Sequence, residues 1–253
     1  MNTILIIVLG VVVGSFLNVC IYRLPRNISI VTPRSKCTNC DHQIKSWENI
    51  PIISYIFLGG KCSNCKTKIS LRYPIVEALT AVIYFIIYNY YGVTIETLLL
   101  LVVFSVIIIL TFIDMDFQIL PNNLLIIGLI PVVIFVYLQY SESIINHLIG
   151  GIMLFAIFLL IGYLGKLAYK VDSMGMGDVK YATVIGLFLG WKLGIVVFIV
   201  SFFSAAILIV IISLGRKIDR KQRLAFGPFL SLGCLIAFFW GTEIINWYMA
   251  FYK

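Results

Sequence analysis

Charge is what this sequence has least of. Asp, Glu, Lys and Arg make up 12% of its 253 residues, 61% are hydrophobic, and the mean hydropathy is +1.06. A soluble domain of this size carries roughly a quarter charged residues. The composition therefore excludes an ordinary water-soluble globule and makes the bilayer the solvent for most of the chain. No cleavable secretory leader is expected from the apolar run 4–21, which has neither a basic leading region nor a small-residue cleavage site. It reads as a first membrane helix that is retained. No Gly-x-Gly-x-x-Gly follows a strand pattern, which leaves a soluble nucleotide-type domain without support. Internal repeats and low-complexity tracts are absent as well.

What charge there is has a pattern. The net charge is +8, which on its own would invite an acidic or nucleic-acid partner. Nine of the 19 basic residues lie between Arg23 and Arg72, three more are Lys166, Lys170 and Lys180, and five are Arg216, Lys217, Arg220, Lys221 and Arg223. Such clusters are what orientation of membrane helices by cytosolic Lys and Arg produces. Topology accounts for the charge, and no nucleic acid is needed.

A transmembrane helix needs about 20 mostly apolar residues. Eight stretches qualify: 4–22, 74–91, 97–113, 124–140, 144–167, 179–189, 195–214 and 226–248, the sixth visibly short. The expected fold is an all-α polytopic membrane protein with about eight transmembrane helices. With the 23–73 loop in the cytosol, strict alternation puts the loops holding Asp114, Asp178 and Arg216–Arg223 on the same side, and 17 of 19 basic residues with them. Fusing the sixth and seventh spans would leave the Arg216 cluster on the wrong side. The expected organisation is a first membrane helix (1–22), a small cytosolic domain (23–73) and a membrane core (74–253).

The cytosolic segment carries Cys37-Thr-Asn-Cys40 and Cys62-Ser-Asn-Cys65. Two such knuckles are the sequence form of a four-cysteine zinc site, each supplying two thiolates from one turn. About 50 residues cannot bury a large core, and a metal clip is a common remedy. Two disulfides are the competing reading, disfavoured in a reducing cytosol. Four thiolates leave no open coordination position, so the expected zinc is structural. His42, two residues past Cys40, reads as a surface histidine. Cys20 and Cys234 lie in apolar helices and read as small hydrophobes.

Only 11 acidic residues exist, and ionisable groups at membrane depth usually mark function. Glu77, Asp114, Asp116 and Asp178 qualify. Each has a bland reading: Glu77 as a first-turn acid, Asp178 as an N-cap after a glycine turn, Asp114 and Asp116 as acids at a helix end. Together with Gly175 and Gly177, which let backbone approach another chain closely, they describe a cleft. Its chemistry would be that of two carboxylates sharing a proton, one activating water and the other protonating a carbonyl oxygen. The residues alone do not separate Asp114 from Asp116.

The chain resembles the type IV prepilin leader peptidase/N-methyltransferases, the GxGD membrane aspartic proteases. The resemblance is carried in order by Gly14-Ser-Phe-Leu-Asn18, the two knuckles, Trp47-Glu-Asn-Ile-Pro51, Gly59-Gly-Lys-Cys62, Arg72-Tyr-Pro74, Glu77, Asp114-Met-Asp116, Leu120-Pro121, Gly175-Met-Gly-Asp178 and Phe226-Gly-Pro228. It implies that Asp114 and Asp178 are the catalytic pair, supported by Gly175, Gly177, Asp116 and Lys180. It also implies a prepilin or pseudopilin substrate with a short basic leader and one apolar helix, cut on the cytosolic side of a bacterial inner membrane. By resemblance alone, the new N-terminus is then methylated from S-adenosylmethionine, with Trp47, Glu48, Gly60 and Lys61 the suspected contributors. A substrate's basic leader would meet a basic face, so its apolar helix is the better handle. A transporter or ion channel is the rival from another class, since acids inside a helix bundle also build ion paths; the missing repeats and the position of Asp178 at a membrane rim speak against it.

Overall fold

The computed structural model describes residues 3–170, 174–215 and 224–251; the basic cluster Arg216–Arg223 lies outside them. Among the described residues the regular structure is helical: α1 (Thr3–Arg23), short α2 (Ile53–Phe57), α3 (Arg72–Tyr91), α4 (Ile95–Phe117), α5 (Asn122–Tyr140), α6 (Ile144–Tyr169), α7 (Met176–Gly215) and α8 (Gly227–Ala250). The chain folds as two compact units, 1–109 and 110–253, and the boundary falls inside α4.

In the first unit α1 lies against α3. Lipid tails are as apolar as leucine, so helices in a membrane associate through close backbone packing at small residues. Gly10 and Gly14 supply it: a Cβ on Gly10 would stand 2.6 Å from the Ala81 Cα, and one on Gly14 2.7 Å from the Glu77 Cα. One turn on, buried Asn18 donates to the Tyr73 carbonyl at 3.1 Å. Glu77, also buried, accepts the Ile52 amide at 2.7 Å. Ile52 has φ +60°, strained for a β-branched residue, and the Glu77 carboxylate holds it there at the start of α2.

In the second unit, contacts along α6 give the direction of α7. Met174 lies beside Gly162, Leu187 beside Gly151 and the Leu187 carbonyl against His147, so the chain at first runs antiparallel to α6. Beyond Gly190 the order reverses: Gly194 meets Leu154, and the rings of Phe198 and Phe202 pack edge-on and tilted against Phe158. The turn is made at Gly190, whose φ of +78° suits glycine alone. The backbones touch at this seam, where a Cβ on Gly186 would stand 2.4 Å from the Gly150 carbonyl oxygen. α7 is thus two helices folded on each other. α5 runs alongside its first half, Asn122 beside Lys180 and Phe135 beside Phe188, so α5 and α6 are antiparallel across the short 3-10 turn Ser141–Ser143. By length and composition six helical stretches can cross a membrane, and two of them, Asn122–Ala168 and Met176–Leu214, are these folded pairs.

Candidate active site

Asp114 lies in the last turn of α4 and Asp178 in the first turn of α7. Their carboxylates are near enough for their charges to act on one another. Asp114 is buried at 4% exposure, Asp178 is half-buried, and Asp116 is exposed. Residues two apart on a helix point about 200° apart, so one of the α4 aspartates faces the interior of the helix bundle and the other faces out.

The start of α8 holds Asp114. A helix leaves its first amides without internal partners; here the Gly227 amide donates to Asp114 Oδ2 at 2.8 Å. Position 228 is proline, which has no amide to satisfy. Position 227 must be glycine, because a Cβ there would lie 2.7 Å from the same oxygen. Phe226 anchors the turn between Phe158 and Phe202, with ring centroids at 5.9 and 5.0 Å. This role of Phe226-Gly-Pro228 is one that sequence reasoning missed; the motif is visible in the chain, its partner is not.

The turn before α7 shapes the other side. The Asp178 amide donates to the Gly175 carbonyl at 3.0 Å, and a Cβ on Gly175 would come within 3.2 Å of Asp178 Oδ2. A Cβ on Gly177 would lie 3.0 Å from the Leu120 Cβ, which places the Leu120-Pro121 entry to α5 against the glycine turn. Asp178 Oδ1 is buried without a hydrogen-bond partner from the protein. Lys180 is exposed and donates to Asn122 Oδ1 at 3.0 Å.

The four cysteines form a second site, in the first unit. All four sulfurs lie within 4.8 Å of one another. Cys37 and Cys65 are 3.8 Å apart, Cys40 and Cys62 3.9 Å. Sulfurs at ~2.3 Å around a tetrahedral ion would be about 3.8 Å apart, so the cluster fits a metal. The knuckles are copies of one turn. The Cys37 amide donates to the His42 carbonyl and the Asp41 amide to the Cys37 carbonyl; 25 residues on, Cys62, Thr67 and Lys66 repeat this pattern. Asp41 and Lys66 share a positive φ of 53° and 58°. Asn39 reaches across to Cys65 and Asn64 to Cys40, a local two-fold relation. The expectation of no internal repeat needs this correction: Lys36-Cys-Thr-Asn-Cys40 and Lys61-Cys-Ser-Asn-Cys65 are one unit used twice. The Thr67 hydroxyl, then its amide, hold the Cys65 thiol down to about 5. At Cys40 the His42 amide works the other way, but lost hydration and the Cys65 and Cys37 thiols push it up to about 11.

The stretch suspected of contributing to methyl transfer lies in the first unit, beside the cysteine cluster. Glu48 accepts the Lys45 amide at 2.8 Å and lies 3.4 Å from His42 Nε2. Gly60 is buried against Tyr55, whose hydroxyl would be 2.8 Å from a Cβ. Trp47 and Lys61 are exposed.

The likeness of this chain to known proteins agrees with that geometry. A family model described as the bacterial peptidase A24 N-terminal domain matches residues 8–91, and one described as the type IV leader peptidase family matches residues 101–210. The chain belongs to the type IV leader peptidase family. Relatives named prepilin leader peptidase/N-methyltransferase include one from Pseudomonas aeruginosa, 32% identical over 97% of this chain and 92% of its own. Another, from Legionella pneumophila, is 35% identical over 95% and 92%. A third, from Myxococcus xanthus, is 34% identical over 85% of this chain and 65% of its own. No solved structure matches. Membership in the leader peptidase family and the six apolar stretches make this a multi-pass bacterial membrane protein.

Proposed function

We propose that this chain is a prepilin leader peptidase and N-methyltransferase with Asp114 and Asp178 as its catalytic pair. The observation that carries the reading is the meeting of these two carboxylates, one buried and fixed by the Gly227 amide, in a member of the leader peptidase family. One aspartate takes a proton from water as the water attacks the scissile carbonyl, and the other protonates the carbonyl oxygen. Collapse of the tetrahedral adduct passes a proton to the leaving nitrogen and releases the leader with a new carboxylate. The pilin keeps a new amine. S-adenosylmethionine supplies the methyl group that this amine receives.

The membrane arrangement goes with this reading. Counting each folded pair as two crossings gives eight spans, and the 23–73 segment and both aspartates then share the cytosolic side of the inner membrane. The substrate is a prepilin or pseudopilin precursor whose apolar helix lies in the bilayer beside the site. Zinc is the metal held by Cys37, Cys40, Cys62 and Cys65; the four-thiolate donor set and the sulfur spacing support it. Nothing among the relatives favours a transporter. The test is incubation of the purified protein in liposomes with a prepilin peptide, followed by mass spectrometry. Loss of the leader mass is expected, with gain of one methyl when S-adenosylmethionine is present. An intact peptide would refute the protease reading.

A further inference from the structure

A buried hydroxyl cluster sits one turn behind Asp114. Ser231, at 4% exposure, is its centre. Its Oγ donates to the Gly227 carbonyl at 2.9 Å. The Thr111 hydroxyl donates to Ser231 Oγ at 2.6 Å, and the Tyr181 hydroxyl lies 2.8 Å from it. A serine hydroxyl has one hydrogen to give and two lone pairs. With the hydrogen on Gly227 and both lone pairs taken, its orientation is fully determined.

The three hydroxyls come from three different helices. Thr111 is one turn before Asp114 on α4. Tyr181 is three residues after Asp178 on the first half of α7, with its phenol in the field of Asp114. Ser231 is one turn into α8. Buried polar groups in a helix bundle are costly unless paired, and here the pairing converges on one residue, Gly227. Gly227 is gripped through its carbonyl by Ser231 and presents its amide to Asp114 Oδ2. We infer that Ser231, Thr111 and Tyr181 are positioning residues for the reaction: they pin the first turn of α8 to both aspartate-bearing helices and so fix the Asp114 carboxyl group for its proton transfer. The inference rests on the assignment of Asp114 and Asp178 proposed above. Tyr181 and Ser231 are buried at 1% and 4% exposure and Thr111 gives its hydroxyl to Ser231, so binding and turnover should separate when they are altered.

The test is steady-state cleavage of a prepilin peptide by the full-length protein in liposomes, with Thr111→Val, Thr111→Ser, Tyr181→Phe and Ser231→Ala. The Val and Phe changes remove a hydroxyl at nearly constant volume. Each should lower kcat by about three- to tenfold, the span of one lost hydrogen bond, with KM within about twofold. Ser231→Ala should cost at least as much. Because all three act through one node, the Thr111→Val/Tyr181→Phe double variant should be no worse than Ser231→Ala. Thr111→Ser should recover most of the wild-type kcat. A merely structural role predicts lost folded protein with unchanged turnover per folded molecule, and no rescue by serine. Wild-type kcat in both folded Thr111→Val and Tyr181→Phe would overturn the inference; should Ser231→Ala fail to fold, these two decide it. If the wild-type protein does not cleave the peptide, the aspartate assignment falls and the inference with it. If it cleaves and the variants match it, the inference alone falls.

Discussion

Replacing Gly227 with alanine perturbs the candidate pair at a single atom. The new Cβ would start 2.7 Å from Asp114 Oδ2, 3.1 Å from its Cγ and 3.2 Å from its Cβ. At these distances something must shift, and the atom nearest the methyl group is the one that accepts the 2.8 Å bond from the Gly227 amide. Either α8 retreats or the carboxylate turns away, and the charge-assisted bond is lost in both cases. Such a bond is worth about 1.5–3 kcal/mol, and a misplacement of ~1 Å in a reacting group can cost about 100-fold. The two estimates agree on a fall in kcat of roughly 10–150-fold. KM should stay within about twofold, because the methyl faces the carboxylate and not the substrate. Proteoliposome cleavage read by mass spectrometry gives both constants, and a thermal melt in detergent checks folding. Gly175→Ala offers a graded comparison: its Cβ would lie 3.2 Å from Asp178 Oδ2, a contact a small shift relieves, so its loss should be smaller. A folded Gly227→Ala protein with kcat within twofold of wild type would refute the idea that the start of α8 holds Asp114.

Other outcomes follow from the rest of the fold. Cys37→Ser or Cys62→Ser should abolish the one metal per chain that elemental analysis is expected to find, and proteolysis should then cut within residues 36–68; a metal-free wild-type protein that resists proteolysis would remove the metal role. Gly14→Ala drives a methyl into the Glu77 backbone at 2.7 Å and should destabilise the α1/α3 seam by about 1–3 kcal/mol, visible as a lower melting temperature. Glu77→Ala leaves the Ile52 amide without its acceptor, so α2 should become protease-sensitive while the second unit's melting behaviour is unchanged. Lys180→Ala, which breaks only the exposed bond to Asn122, should leave cleavage within about threefold of wild type.

The hydrophobic runs marked the helices closely, because length and apolarity are local properties. The shortness of the 179–189 run was also a sound signal: Gly190 folds α7 back on itself there. Which way each helix faces was not legible. When lipid and protein interior are equally apolar, the helical period carries no phase, so Asp114 and Asp116 could be told apart only by resemblance. Packing separates them plainly, one buried and one exposed. The Gly227–Asp114 bond joins residues 113 apart, and no local pattern announces it. The duplicated knuckle was written in the spacing of Lys36 to Cys40 and Lys61 to Cys65, yet its two-fold pairing needed the folded loop. The bond from Lys180 to Asn122 was not legible either, since it joins residues 58 apart on two helices.

The central claim is that Asp114 and Asp178 act as a pair and Asp116 does not. The most direct measurement is single-turnover cleavage of a prepilin peptide by Asp114→Asn, Asp178→Asn and Asp116→Asn in liposomes. The first two should each lose at least about 1,000-fold, since either partner alone lacks half of the acid–base chemistry, and Asp116→Asn should stay within about tenfold of wild type. A folded Asp114→Asn or Asp178→Asn protein that still cleaves at near wild-type rate would contradict the account.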